Sequence, residues 1–204
     1  MSVTSALGTG SPPRIATAEH WFDFICPYCY VAQDRTRILR EHGIHVVGHA
    51  LWIHPRIGPG GIPAGPRTGP GYSFLARRPR PRACRCGGRT ASATRARPWR
   101  PTSGSPRPIR RPPTAAVFAA YFADGLDIES EDLLVSLAGK AGGNADGLRA
   151  AWRSSAMTDA LAASRSLASR YGVRGTPTWV SGRQGIAGLR PREWFRDWAA
   201  ALTP

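Results

Sequence analysis

The chain has 204 residues, enough for one domain with a hydrophobic core or for a small core domain with a long insertion. It has no run of 18 apolar residues and no apolar stretch behind a charged N-terminus, so we expect neither a membrane span nor a secretory signal. The net charge of +15 belongs to one segment, because residues 66–113 hold 13 Arg and no Asp, Glu or Lys, while the remainder carries about +2.

The first predicted elements form a strand–helix–strand unit. Residues 1–17 are expected to be a flexible leader. The aromatic residues 20–25 predict a buried strand, which runs directly into a Cys-x-x-Cys motif. A helix should begin near Pro27, which suits a first-turn position, and end before Gly43. Residues 44–54 predict a second strand.

The helix between these strands has an apolar face. Val31, Ile38 and Leu39 fall near helical spacing, and Arg35 and Arg37 lie between them at the polar positions. This pattern predicts that the apolar residues pack against the strands.

The regular spacing of apolar residues is lost over residues 58–113, to which we assign no secondary structure. Residues 66–113 contain ten prolines and only five large apolar side chains, too few to offset the entropy of ordering the segment. Clustered arginines suit a nucleic-acid-binding arm. However, Trp99 is the only aromatic residue between residues 77 and 113, so this segment lacks the series of aromatic side chains on which bases would stack. A disordered interaction linker is a second interpretation.

A third interpretation is a shifted reading frame in a GC-rich gene. Arg, Pro, Gly, Ala and Ser have GC-rich codons, and the sharp borders near Leu75 and Pro113 favour this explanation. Translation of the coding DNA in the other frames between codons 75 and 113 should then yield an amphipathic helical sequence. On this interpretation Cys84 and Cys86 are accidental, and the chain is an inactive product that lacks half of its helical lid.

Regular spacing of apolar residues returns near Ala115. The remaining predicted elements are a helix from about residue 115, a helix capped by Ser130, a long helix over 145–170 ended by Gly172, a loop entering a strand over 173–180, a strand over 184–189, and a helix opening at Pro191.

The motif Cys26-Pro27-Tyr28-Cys29 carries the candidate chemistry. A cysteine at the start of a helix lies where backbone N–H groups favour a thiolate, which lowers its pKa. A second cysteine one turn later is close enough to form a disulfide with it. We therefore assign Cys26 as the exposed nucleophile and Cys29 as the resolving thiol, with Pro27 and Tyr28 tuning the first. The alternatives are two buried structural cysteines and half of a zinc site.

Asp23 precedes the motif on the predicted strand. Its carboxylate either relays the proton of the resolving cysteine or caps a nearby turn. His54, at the end of the second predicted strand, is expected to be structural.

Two segments together resemble the DsbA-like thioredoxin superfamily: residues 22–30, Phe-Asp-Phe-Ile-Cys-Pro-Tyr-Cys-Tyr, and residues 172–178, Gly-Val-Arg-Gly-Thr-Pro-Thr. The sequence is most similar to the FrnE-like cytoplasmic branch, which is related to 2-hydroxychromene-2-carboxylate isomerases and kappa-class glutathione transferases. The resemblance covers residues 20–60 and 115–204.

The resemblance implies an α/β, thioredoxin-like fold with an inserted helical domain, here partly degraded. The core would comprise residues 18–57 and 172–204, and the helical insertion residues 114–171. Pro177 would follow a cis peptide bond facing the cysteines. The Thr176 backbone would then bind an extended substrate beside Cys26.

The implied function is thiol–disulfide oxidoreductase or isomerase activity on protein or small-molecule thiols and disulfides in the cytoplasm. We expect no metal and no bound cofactor, with glutathione as a redox partner. The alternatives are a glutathione-dependent isomerase or transferase of the same fold, a nucleic-acid-binding module based on the Arg-rich segment, and an inactive frameshifted product. A complete Cys-x-x-Cys counts against the glutathione-dependent enzymes, whose active position commonly carries a lone Ser or Cys.

Overall fold

The computed structural model describes residues 15–53 and 113–203. In these ranges four strands form one mixed sheet: β1 (Thr17–Phe22), β2 (His45–Ala50), β3 (Thr178–Ser181) and β4 (Gln184–Ala187). The order across the sheet is β2-β1-β3-β4. β1 and β2 are parallel, whereas β3 pairs antiparallel with both β1 and β4.

Helices connect and cover the strands. Between β1 and β2 lie α1 (Pro27–Val31) and α2 (Gln33–Glu41); between β2 and β3 lie α3 (Thr114–Phe122), α4 (Glu131–Lys140), α5 (Ala145–Arg153) and α6 (Ala156–Arg170); α7 (Arg192–Leu202) follows β4. Among the residues that the structure describes, no helix has the length and apolar character needed to cross a bilayer.

Both faces of the sheet are covered, because apolar residues of β1 and β3 contribute to two separate clusters. One face packs against α2 and α7 through a cluster that includes Ala18, Leu39, Trp179, Phe195 and Trp198. The opposite face packs against α6 through Trp21, Leu51, Ala168 and Val180. Burial on both faces accounts for the three consecutive buried residues His20, Trp21 and Phe22 at the end of β1.

The first strand lies three residues earlier than the sequence predicted. β1 ends at Phe22 because residues 23–25 form a turn, in which the Cys26 N–H donates to the Asp23 carbonyl over 3.1 Å. The second strand is shorter than predicted, ending at Ala50 instead of residue 54. His54 lies outside the described residues.

The long predicted helix over 145–170 is two helices, α5 and α6. Ser154 adopts an extended backbone between them. Its hydroxyl donates to the Ala151 carbonyl over 2.9 Å and accepts from the Ala156 N–H over 3.3 Å. A serine side chain that bonds to the backbone in this way competes with helical hydrogen bonds and ends the helix.

Two glycines end helices as the sequence predicted. Gly43 and Gly172 have φ values of +78° and +66°, the left-handed conformation that favours glycine. After Gly172 the N–H of Val173 turns back to the Ala168 carbonyl over 2.8 Å. This turn fixes the direction in which the chain leaves α6 toward β3.

Nearly all of the Arg-rich segment lies outside the described residues. The nucleic-acid arm, the linker and the shifted reading frame therefore stay predictions, as do the domain boundaries.

A buried ion network joins α2 to α7. Asp34 and Arg35 are 8% and 4% exposed, and the Asp34 carboxylate accepts from Arg35 over 2.6 Å and from Arg192 over 2.5 Å. The Arg35 guanidinium also donates twice to the Arg190 carbonyl, over 3.1 and 3.0 Å. Because every member is paired, the network fixes how α7 and the turn before it dock on α2.

His20 is buried in β1 between aromatic rings. Its imidazole stacks on Trp179 with ring centroids 4.5 Å apart, and Nδ1 lies 3.4 Å from the Thr36 hydroxyl. Nε2 is buried and forms no hydrogen bond within the described residues. Burial, with smaller effects from the charges of Arg40 and His49, lowers the pKa of His20 from 6.5 to about 3.

We expect His20 to make the fold sensitive to acid. Because its folded pKa is depressed, the neutral imidazole contributes stability that is fully present above about pH 6.5 and is lost as the pH falls toward 3. His20→Phe, which keeps a ring against Trp179, should lower the slope of unfolding free energy against pH by up to about 1.4 kcal/mol per pH unit in that window. Urea unfolding between pH 7 and pH 4 measures the slope.

The matched control is His45→Phe, which replaces an exposed histidine on β2. Equal acid sensitivity in wild type, His20→Phe and His45→Phe would contradict the assignment.

Candidate active site

The cysteine motif lies at the junction of β1 and α1. Cys26 is the N-cap residue of α1, with the extended backbone conformation (φ −82°, ψ 115°) that an N-cap adopts, and Pro27 occupies the first turn. The proline leaves no orphan N–H there and fixes the φ angle with which the helix begins. The sulfur of Cys26 is thereby held at the helix start.

Both cysteines are free thiols, and they differ in access to solvent. Cys29 is completely buried, whereas Cys26 is 6% exposed. The prediction that Cys26 is exposed was wrong, because aromatic side chains and the loop at Thr176 cover it. The roles of attacking and resolving thiol stay predictions.

Residues 172–178, the second segment on which the family resemblance rests, lie against Cys26. The Thr176–Pro177 peptide bond is cis, as the resemblance implied. The Cys26 thiol donates to the Thr176 carbonyl over 3.6 Å, although the two residues are 150 positions apart. The fold thus brings Cys26, Cys29, Thr176 and Pro177 into one site.

The two thiols have pKa values shifted in opposite directions. A hydrogen bond from the Cys29 thiol lowers the pKa of Cys26 from 9.0 to about 7, with help from the Cys29 and Tyr28 backbone and against the effect of burial. Burial, followed by the interaction with Cys26, raises the pKa of Cys29. Near neutral pH the thiolate therefore forms on Cys26.

The Thr176 hydroxyl adds a donor at the same place. Its Oγ1 is buried and forms no hydrogen bond within the described residues. It is close enough to Cys26 to favour the ionised sulfur. Once the thiolate forms, a buried donor that lacked a partner gains one, which favours ionisation.

Asp23 holds the turn that leads into the motif. One carboxylate oxygen accepts from the Ile25 N–H over 3.1 Å, and the other accepts from the Ile53 N–H over 3.3 Å. This geometry matches the turn-capping alternative for Asp23. A proton-relay role for it stays a prediction.

Aromatic side chains surround the cysteines. Phe22 and Phe118 form a buried cluster with Cys26 and Cys29, and the partly buried ring of Tyr28 packs against it. Phe118 comes from α3, so the helices between β2 and β3 supply one wall of the site. The sequence analysis predicted the helix that carries Phe118, but the position of this ring beside the cysteines depends on the tertiary fold.

Sequence reasoning did not identify His20 or Gln33. The Gln33 side chain donates to the Cys29 carbonyl over 3.0 Å and so stabilises the end of α1. A glutamine four residues after a motif cysteine lies on the same helix face, a spacing that could have drawn attention to it. Within residues 15–53 and 113–203, no group of three or more His, Cys, Asp or Glu could hold a metal ion.

The strand order, the dithiol at a strand–helix junction and the opposing cis-proline loop define a thioredoxin-like fold. A family model for the DsbA-like thioredoxin domain matches residues 114–197, a range that contains Thr176 and Pro177 and begins after the cysteine motif. Residues 114–197 are thus similar to the DsbA-like thioredoxin domain, the family that the sequence resembled. No curated protein matches the sequence significantly.

Solved structures share this fold at low sequence identity. A probable DsbA oxidoreductase from Streptomyces coelicolor has a TM-score of 0.63 and 20% identity, over 92% of this chain and 89% of that one. The cytosolic disulfide reductase DsbM from Pseudomonas aeruginosa has a TM-score of 0.59 and 21% identity, over 91% and 96%. A 2-hydroxychromene-2-carboxylate isomerase has a TM-score of 0.54 and 17% identity, over 91% and 94%. These likenesses show a shared fold.

Proposed function

We propose that this chain is a thiol–disulfide oxidoreductase in which Cys26 is the nucleophile and Cys29 the resolving thiol. The main support is the Cys26 sulfur itself: its pKa is lowered to about 7, and it lies 3.6 Å from the Thr176 carbonyl of the cis-proline loop. A thiol with a pKa near ambient pH is close to the optimum for attack on a disulfide.

The reaction proceeds in two exchanges. The Cys26 thiolate attacks one sulfur of a substrate disulfide, forms a mixed disulfide and releases the other sulfur as a thiolate. Cys29 then gives up its proton and attacks the Cys26 sulfur, which forms the Cys26–Cys29 disulfide and releases the second substrate thiolate. The substrate gains two electrons, which the two protein thiols lose. An external thiol restores the reduced pair.

The surrounding residues position the reactants. Pro27 fixes the start of the helix, Tyr28 contributes backbone and ring contacts at Cys26, and Asp23 holds the preceding turn. The backbone of Thr176, next to Pro177, is positioned to bind an extended substrate.

We further propose a cytoplasmic protein that works without bound metal or organic cofactor and uses glutathione as its reductant. The Pseudomonas enzyme with the same fold is a cytosolic disulfide reductase, and its structure has also been solved with GSH. A Cys26–Cys29 pair that is reduced in its resting state is compatible with the reducing thiols of the cytoplasm.

The pH dependence of alkylation tests the central claim. We expect Cys26 to react with iodoacetamide with a midpoint near pH 7, and Cys29 to stay essentially unmodified in the folded protein, as measured by peptide mass spectrometry. Cys29→Ala removes the hydrogen-bond donor and should move the midpoint toward 9, whereas Cys29→Ser keeps a donor and should move it less. A wild-type midpoint of 8.5 or above, the range of an ordinary thiol, would contradict the proposal.

A further inference from the structure

We propose that Gln33 is a positioning residue for the second exchange, in which the Cys29 sulfur attacks the Cys26 sulfur. This inference rests on the proposed oxidoreductase function and assigns one of its two steps to a residue outside the Cys-x-x-Cys motif. The role needs no contact with the substrate or with a sulfur. Gln33 acts through the backbone of Cys29, whose carbonyl accepts the Gln33 side-chain N–H over 3.0 Å.

The helix that begins at the cysteine motif is interrupted just after it. α1 ends at Val31 and α2 begins at Gln33, so the series of helical hydrogen bonds is broken at Ala32. In an uninterrupted helix the Cys29 carbonyl would accept from the backbone N–H of Gln33. At this break the side-chain amide of the same residue donates to that carbonyl. Gln33 therefore joins the two helices at the residue whose sulfur must react.

Of the two helices, α2 is the better anchored. Asp34 and Arg35, which directly follow Gln33, belong to the buried ion network that docks α7 on α2. Leu39 of α2 is completely buried in the core cluster on one face of the sheet. α1 has only five residues, too few to form a stable helix alone. The Gln33 side chain therefore ties the Cys29 backbone to the rigid part of the fold.

The second exchange depends on where the Cys29 backbone is held. In this step the Cys29 sulfur bonds to the Cys26 sulfur, the bond from Cys26 to the substrate sulfur breaks, and the Cys29 proton leaves with the substrate thiol. A disulfide forms only when both cysteine backbones have a specific geometry. An error of about 1 Å in the position of a reacting group can slow a reaction about 100-fold. The first exchange uses only Cys26 and does not require this geometry.

The test uses the aromatic disulfide DTNB, which releases one coloured thiolate in each exchange. Every protein compared carries Cys84→Ser and Cys86→Ser, so that only the two motif thiols react. Attack by Cys26 gives a first phase whose rate depends on the DTNB concentration, and attack by Cys29 gives a second phase whose rate does not. Gln33→Leu, which keeps the side-chain size but loses the donor, should slow the second phase by about tenfold, the factor that one hydrogen bond of ordinary strength contributes. The first phase should keep its rate.

Gln33→Glu gives a pH profile that a merely structural role would not produce. An ionised carboxylate cannot donate to the Cys29 carbonyl, whereas a protonated carboxyl can. The second-phase rate of this variant, divided by that of the protein with Gln33 at the same pH, should therefore rise as the pH falls from about 7 toward the ordinary carboxyl pKa of about 4.3. The same ratio for Gln33→Leu should not change with pH. A flat ratio for Gln33→Glu would contradict the proposal.

The matched control is Gln184→Leu. The side-chain carbonyl of Gln184 accepts from the Trp198 indole N–H over 2.8 Å, a glutamine hydrogen bond of similar length outside the site. This variant should keep the rates of both phases. A second phase that is unchanged in Gln33→Leu, slowed equally by Gln184→Leu, or slowed only together with the first phase would overturn the inference.

The same experiment separates this inference from the proposed function. If the protein with Gln33 releases fewer than two thiolates, Cys29 does not resolve the mixed disulfide, and the oxidoreductase proposal fails together with the inference. If that protein releases two thiolates and Gln33→Leu releases them at the same rates, the inference alone fails.

Discussion

Replacement of Cys29 with serine is expected to stop the protein as a mixed disulfide with its substrate. Cys26 keeps its position and a hydrogen-bond donor, so the first exchange proceeds. The second exchange has no internal thiol, and neighbouring groups on one protein react at effective concentrations of about 10⁵ M or more, far above any added thiol. Turnover of a disulfide substrate should fall by at least about 100-fold, with one substrate thiol bound covalently per protein by mass spectrometry.

The same variant distinguishes the two enzymatic interpretations. A glutathione-dependent isomerase does not need a second thiol, so Cys29→Ser would continue to turn over its substrate. Cys26→Ser is the matched control, since it should lose both the covalent adduct and disulfide reduction. Full disulfide-reductase turnover in Cys29→Ser would contradict the role of Cys29.

Asp34→Ala is expected to destabilise the fold by about 3–5 kcal/mol, the usual cost of breaking a buried ion pair by removing one partner. The substitution leaves the Arg35 guanidinium, 4% exposed, without its counter-charge, and releases Arg192 on α7. The midpoint of urea unfolding, followed by circular dichroism, measures the loss. The slope of the transition should be unchanged.

The control is Glu41→Ala, which breaks an exposed pair with Arg37 on the same helix. Exposed pairs at this spacing contribute only about 0.5 kcal/mol, so this variant should unfold close to wild type. A loss below about 1 kcal/mol in Asp34→Ala would show that Asp34 is not essential to the docking of α7 on α2.

Local sequence patterns predicted the elements that local interactions determine. A strand, a Cys-x-x-Cys and a proline at the first helical turn indicated the junction at Cys26, and Gly43 and Gly172 indicated helix ends. The break at Ser154 was missed because apolar spacing continues across it, and a single side-chain hydrogen bond to the backbone decides the outcome.

Local sequence patterns could not predict interaction partners that are distant in the sequence. Arg35 occupies a polar position of its helix, where the sequence suggests solvent, yet its carbonyl partner Arg190 lies 155 residues away. The meeting of Cys26 and Thr176 was expected only through the resemblance of two short motifs to a known family. His20 illustrates the same difficulty, since nothing in β1 itself indicates the Trp179 ring that covers it.

The candidate site joins two segments that are 150 positions apart in the sequence and that the pairing of β1 with β3 brings together. During synthesis the dithiol therefore leaves the ribosome well before the loop that opposes it. In a nascent chain, both sulfurs are therefore exposed to the cellular redox buffer before the loop at Thr176 covers them. A product terminated before Thr176 would retain every residue of the dithiol motif and still lack the cis-proline loop that lies against Cys26.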